Sequence, residues 1–145
     1  MNKTIRTGVY GLLKYQGKFV VIKKSRWPFV WKYDLPGWKI EHWENNKMSL
    51  EREIIEEIWL KKEDFQISKL LTVEEDFVEH TWKWEKKNEH LIWIIYIIEI
   101  LNDNFNVNYI EEWWDSNGLK LINIHDTSLD KTNILMKAMQ MYWIK

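Results

Sequence analysis

The chain contains no cysteine, two prolines and five glycines among its 145 residues. The missing thiols exclude disulfides and thiolate metal sites and suit a reducing compartment, so the cytoplasm is the default location. With so little proline and glycine, no linker-like or low-complexity tract divides the chain; no internal repeat is found either, and residues 1–145 read as one domain. A chain of this length can bury roughly 70% of the surface its unfolded form exposes, so no staple is required. Glycine is scarce in its own right: an ordinary share of about 7% would give roughly ten.

An excess of charge of either sign is also missing. A net charge of -1 and a pI near 6.4 supply no basic face for a phosphate backbone, so no nucleic-acid polymer is expected as a partner. The lysine pairs at 23–24, 61–62 and 86–87 read as solvated surface. The most apolar run, LIWIIYIIEIL at 91–101, falls far short of the ~20 residues that span a bilayer and reads as a buried central strand. The opening residues MNKTIRTGVYGLL lack the apolar core and small-residue cleavage site of a signal peptide, and no membrane association is expected.

What the chain has instead is tryptophan, 11 residues of it, and a clear succession of elements. Residues 6–24 read as a β-hairpin turning at Tyr15-Gln16-Gly17. Residues 25–46 read as loop and short strand around Pro28 and Pro36. From 47 to 58 the period becomes helical, with Leu50, Ile54, Ile55 and Ile58 on one side and Glu53, Glu56 and Glu57 on another. Strands at 67–77 and 90–100 follow, joined by a polar, hairpin-like segment at 78–89, and a short strand covers 119–124. Asp126, Thr127 or Ser128 can then cap a last helix running to about 142, with Leu129, Ile134, Leu135, Ala138 and Met141 as its buried stripe. This order predicts the α/β (α+β) class, a mixed sheet flanked by helices.

The acidic helix carries the chemistry. Glu53, Glu56 and Glu57 stand at i, i+3 and i+4, within ~5–6 Å of one another at Cβ, where like charges repel by a few tenths of a kcal/mol. A wet surface with Arg52 and scattered lysines can absorb that repulsion. So can a hard divalent cation, which takes several oxygen ligands, keeps some of its waters and shares its shell with substrate phosphates.

Residues 38–60 decide between the two, because they resemble the Nudix box. That pattern runs Gly, five residues, Glu, seven residues, Arg-Glu, an aliphatic, any residue, Glu-Glu, any residue, Gly, aliphatic. Glu44, Arg52, Glu53, Ile54, Glu56, Glu57 and Leu60 fall on its specified positions, while Trp38 and Trp59 fall on its two glycines. The lead-in KYDLPGWKIEHWE also resembles the family's, in which 38 and 43 would both be glycine. The resemblance implies a Nudix-type α/β/α sandwich in which Glu53, Glu56 and Glu57 hold Mg²⁺ or Mn²⁺ and Glu44 and Arg52 brace the loop-helix-loop. It implies hydrolysis of a nucleoside diphosphate linked to another moiety, with a small-molecule nucleotide as substrate. For the water-activating base it leaves a box glutamate, Glu74, Glu75, Glu111 and Glu112 open, and it leaves the oligomeric state open, homodimer included.

Tryptophan at a glycine position is costly where the backbone turns left-handed, by roughly 1–2 kcal/mol per residue. Trp59, directly after the helix, is expected in that conformation, with Trp38 and Trp43 as further candidates. Three readings stand. A stop codon reassigned to glycine has been translated as tryptophan, at Trp27, Trp31, Trp38, Trp43, Trp59, Trp93 and one of Trp113 or Trp114. Alternatively, the domain is degenerate and binds a nucleotide or protein partner without turnover. In the third, the loops have adapted and catalysis survives. Trp82, Trp84 and Trp143 read as ordinary core. The four histidines, His42, His80, His90 and His125, show no i, i+4 pair and so no zinc motif, and neither a P-loop nor a Ser/His/Asp signature occurs.

Overall fold

The computed structural model describes residues 2–24, 32–102 and 116–144. Strands β1 (Asn2–Tyr15) and β2 (Lys18–Lys24) form the expected hairpin, with Gln16 and Gly17 both left-handed in its two-residue turn. Two short strands follow, β3 (Tyr33–Asp34) and β4 (Gly37–Lys39), and then helix α1 (Asn46–Ile58). Strands β5 (Phe65–Trp82) and β6 (Glu85–Ile100) form a long hairpin; β7 (Ser116–Asn123) and helix α2 (Asn133–Ile144) complete the order.

All seven strands belong to one mixed sheet whose main path runs β3-β2-β1-β6-β5, with β4 attached to β1 and β7 to β2. The β1/β6 pair is parallel and the other pairs are antiparallel. Because neighbouring residues of a strand point to opposite faces, β1 feeds two cores. Val9 and Leu13 pack with Leu50, Ile54 and Ile58 of α1 on one face, and Tyr10 and Leu12 pack with Ile134, Leu135 and Ala138 of α2 on the other. At about 1.5–3 kcal/mol for each fully buried aliphatic side chain, either helix is anchored mainly by this burial. The result is the expected mixed sheet with a helix on each face. No helix among the described residues is long and apolar enough to cross a membrane.

The segment 78–89 is the expected hairpin, continuous strand on both sides of a two-residue turn, Lys83-Trp84. Three details differ from the sequence reading. Ile55 is exposed, not part of the buried stripe of α1. The last helix starts later than expected: Asp126 caps its own turn through the N–H groups of Ser128 and Leu129, and the hydroxyl of Thr132 accepts from Leu135 N–H at the true helix start. Finally, Trp84 (99% exposed) and Trp143 are surface residues, not core.

Candidate active site

α1 starts where the side chain of Asn45 accepts the Met48 N–H at 2.8 Å, which leaves one fewer orphan donor in the first turn. With Leu50, Ile54 and Ile58 turned to the sheet, the charged ridge Arg52, Glu53, Glu56, Glu57 borders the loop that leads from β4. Arg52 is the hub. Its Nε and Nη2 donate to the two carboxylate oxygens of Glu44 at 3.0 and 3.1 Å, and its Nη1 donates to Glu53 at 2.9 Å and to Glu56 at 3.4 Å. A two-pronged Arg–carboxylate contact fixes direction as well as distance, so Glu44 and Arg52 tie the loop to the helix. The same bond holds the Glu44 carboxyl below its ordinary range.

Glu53 and Glu57 face each other. Their carboxyls are in hydrogen-bond contact, and burial pushes the Glu53 carboxyl above its usual range. Glu57 also accepts the Gly37 N–H at 3.0 Å. That position requires glycine: φ is +134°, and a Cβ there would run into the Val9 carbonyl oxygen and the Tyr10 Cα. Two adjacent carboxyls, one of them buried, repel each other when both are ionised; Arg52 offsets part of that charge from Glu53, and a shared proton or a bound cation would offset the rest. Oxygen-only donors suit Mg²⁺ or Mn²⁺, which needs few protein ligands because it retains water and takes substrate oxygens. The donor set therefore fits such an ion. Among the described residues no three acidic or histidine side chains form a ready-made metal cluster; Glu56 leans on Arg52 instead of meeting the other two.

A cavity of about 370 Å³ opens on the α2 face of the sheet, lined among others by Tyr10, Asp34, Trp38, Trp93 and Asn133; among the described residues no carboxylate of α1 lines it. Tyr10 links the two regions. It is in register with Gly37, and burial, followed by the nearby Asp34, Glu57 and Glu53, holds its hydroxyl firmly protonated. Asp34 accepts from the Thr132 hydroxyl at 2.7 Å, which fixes the start of α2 against β3. Farther out, Glu89 sits between Arg6 (3.4 Å) and His80 (3.0 Å).

All five residues singled out in the sequence, Glu44, Arg52, Glu53, Glu56 and Glu57, fall within this one network. Of the further base candidates, Glu75 is engaged by His90 at 2.6 Å, Glu74 lies in register with the cavity residue Trp93, and Glu111 and Glu112 lie outside the described residues. The sequence reading missed Gly37, Asp34 and the His80–Glu89 pair. The Pro36-Gly37 dipeptide was a signal for the first; the other two come together only through pairing of distant strands.

The tryptophans divide. Trp59 is left-handed (φ 63°) as expected and closes α1 by donating its N–H to Ile55 O; Trp43 is left-handed too (φ 72°). Trp38 is not, because it belongs to β4, pairs with Val9 and is 40% exposed. Trp84, unsuspected from the sequence, is left-handed in the β5–β6 turn (φ 69°). Trp93 is buried on the face of α2, while Trp27, Trp31, Trp113, Trp114 and the Trp82 side chain lie outside what is described.

No protein-family model matches the sequence, and no curated protein matches it. Solved structures do. A MutT NUDIX hydrolase from Burkholderia pseudomallei is similar with a TM-score of 0.69 at 21% identity, over 94% of this chain and 97% of that one. A MutT protein from Methanosarcina mazei Go1 is similar with a TM-score of 0.69 at 16% identity, over 99% and 96%. A C. elegans Ap4A hydrolase in a binary complex is similar with a TM-score of 0.58 at 14% identity, over 97% and 95%.

Proposed function

From the Nudix fold that these likenesses show, we propose that the chain is a single-domain, metal-dependent pyrophosphohydrolase acting on a nucleoside diphosphate linked to another moiety. The observation that carries the proposal is the Glu53–Glu57 carboxyl pair, held by Arg52 and the Gly37 N–H and linked through Tyr10 to a cavity of about 370 Å³. Glu53 and Glu57, with Glu56 on the same helix face, would hold Mg²⁺ or Mn²⁺. When bound, the ion neutralises the diphosphate, makes a coordinated water more acidic and stabilises charge on the bridging oxygen.

The chain's own residues do the rest. Arg52 and Glu44 keep the carboxyls aimed, and the cavity takes the nucleoside portion between Trp38 and Trp93. The protonated Tyr10 hydroxyl is a donor near the reacting end. Glu53 or Glu57, or Glu74 on the cavity face, removes the water's proton.

One observation favours a second reading, a binding module without turnover: Trp38 stands in the cavity wall next to Gly37, where the resembled pattern has no side chain at all. A panel of nucleoside triphosphates, sugar-linked diphosphates and dinucleoside polyphosphates, incubated with Mg²⁺ and resolved by chromatography, separates the two. Turnover that falls by about 10²–10³-fold in Glu57→Gln supports the hydrolase. Tight binding without product supports the module.

A further inference from the structure

The β5–β6 hairpin runs past the end of α1 and leaves apolar side chains on the face that α1 covers elsewhere. Across β1, β6 and β5, Ile5, His90 and Phe77 form one row and Lys3, Asn88 and Glu79 the next row on the same face. Phe77 stacks on His90 with ring centroids 4.4 Å apart, yet it is 69% exposed, and Ile5 is 71% exposed. Val73 is exposed two rows nearer α1, with Glu75, bonded to His90, between it and Phe77. Large apolar side chains left exposed together and rimmed by charge mark an interaction face.

We propose that this face binds a second copy of the chain, through a two-fold axis lying along β6. The charge pattern selects that occupant. β6 lies between β1 and β5, so a rotation about it places each β1 over the partner's β5 with the rows kept level. Ile5 then meets Phe77 of the partner subunit, Lys3 meets Glu79 of the partner subunit, and His90 meets its own copy. An isologous contact must be self-complementary in this way, and sheets stacked face to face keep their strands roughly aligned. Eight rows at ~3.3 Å and three strands at ~4.8 Å give a flat area on the order of 400 Å² per copy. That is below the range of stable specific interfaces, so the association is weak and concentration-dependent. It is independent of the hydrolytic reading.

Sedimentation velocity over a concentration series tests it. The unmodified chain is expected to show a reversible monomer–dimer equilibrium, and Phe77→Asp to remain monomeric. Lys3→Glu and Glu79→Lys each weaken the dimer about tenfold or more, the scale of an opposed charge pair. An equimolar mixture of these two single variants restores it, because each copy then offers the charge the other needs. All three positions are exposed, so circular dichroism should report an unchanged fold. A monomer at every concentration, or a dimer indifferent to both charge reversals, overturns the proposal.

Discussion

Trp38 and Trp59 occupy equivalent roles in the resembled pattern, each where a glycine is specified, and the structure treats them in opposite ways. Trp59 is left-handed and ends α1; Trp38 is extended and paired within β4. The glycine at 59 therefore answers a backbone demand, since only a residue without Cβ reaches αL cheaply. At 38 the demand is for space: an indole there projects at the cavity wall, and the positive-φ residue of that turn is its neighbour Gly37. Strain belongs to one end of the segment, obstruction to the other.

Three experiments sharpen or break this contrast. The largest effect is expected from Trp43→Gly, Trp59→Gly and Trp84→Gly combined: each relieves a left-handed L-residue at roughly 1–2 kcal/mol. Distant sites add, so the triple variant should gain about 3–6 kcal/mol, less the backbone entropy of three added glycines, read as a higher Tm. Trp59→Gly alone should give about a third of that. A triple variant no more stable than the parent would mean that these turns are not strained.

A smaller effect follows from the carboxyl pair. Burial raises the Glu53 carboxyl in the folded state above its reference value of 4.5. The folded protein thus holds that proton more tightly than the unfolded chain does, and this contribution to metal-free stability is present below pH ~4.5 and lost as pH rises through the raised folded value. Mg²⁺ competes with the proton, so the Tm increase it causes should grow as the pH rises above ~4.5. A Mg²⁺ effect that is flat with pH, or that shrinks, would separate the ion from Glu53. A small loss of stability, about 1 kcal/mol, is expected from Trp38→Gly, which puts glycine into a paired strand. Its effect should be on KM for nucleotides, measured beside Trp59→Gly, whose KM should stay near the parent's.

The elements with a dry face were legible in the sequence. The β1–β2 hairpin, α1 and the buried stripe of α2 all show a period set by packing on one core. The distal half of the β5–β6 hairpin was legible as a hairpin but not as long strands, because one of its faces borders the cavity and the other is solvent-exposed. Residues 78–89 therefore carry no apolar alternation even though they are paired on both sides of the turn. The start of α2 was hidden for a different reason: Asp126 spends its side chain on a local turn, and the backbone of Thr132 bonds to Tyr33 of β3 first. At the site, spacing along one helix placed the glutamates, whereas Asp34, His80 and Glu89 converge only through the sheet.

Among the described residues, three of the five non-glycine residues in left-handed conformation are tryptophans, Trp43, Trp59 and Trp84. Such positions ordinarily go to glycine, asparagine or aspartate, so the glycine deficit and the tryptophan excess meet at the same turns. Reading the codons at 43, 59 and 84 tests whether glycine is the encoded residue: a reassigned stop codon at all three fits that origin, and the ordinary tryptophan codon at any of them excludes it there.

The most direct measurement of the site is Mn²⁺ binding followed by electron paramagnetic resonance, on the parent chain and on Glu53→Gln and Glu57→Gln. One site per chain, with affinity reduced at least tenfold in each variant and proton release on binding, is the result expected if this carboxyl pair holds the ion. No binding in the parent, or binding untouched by both substitutions, would contradict it.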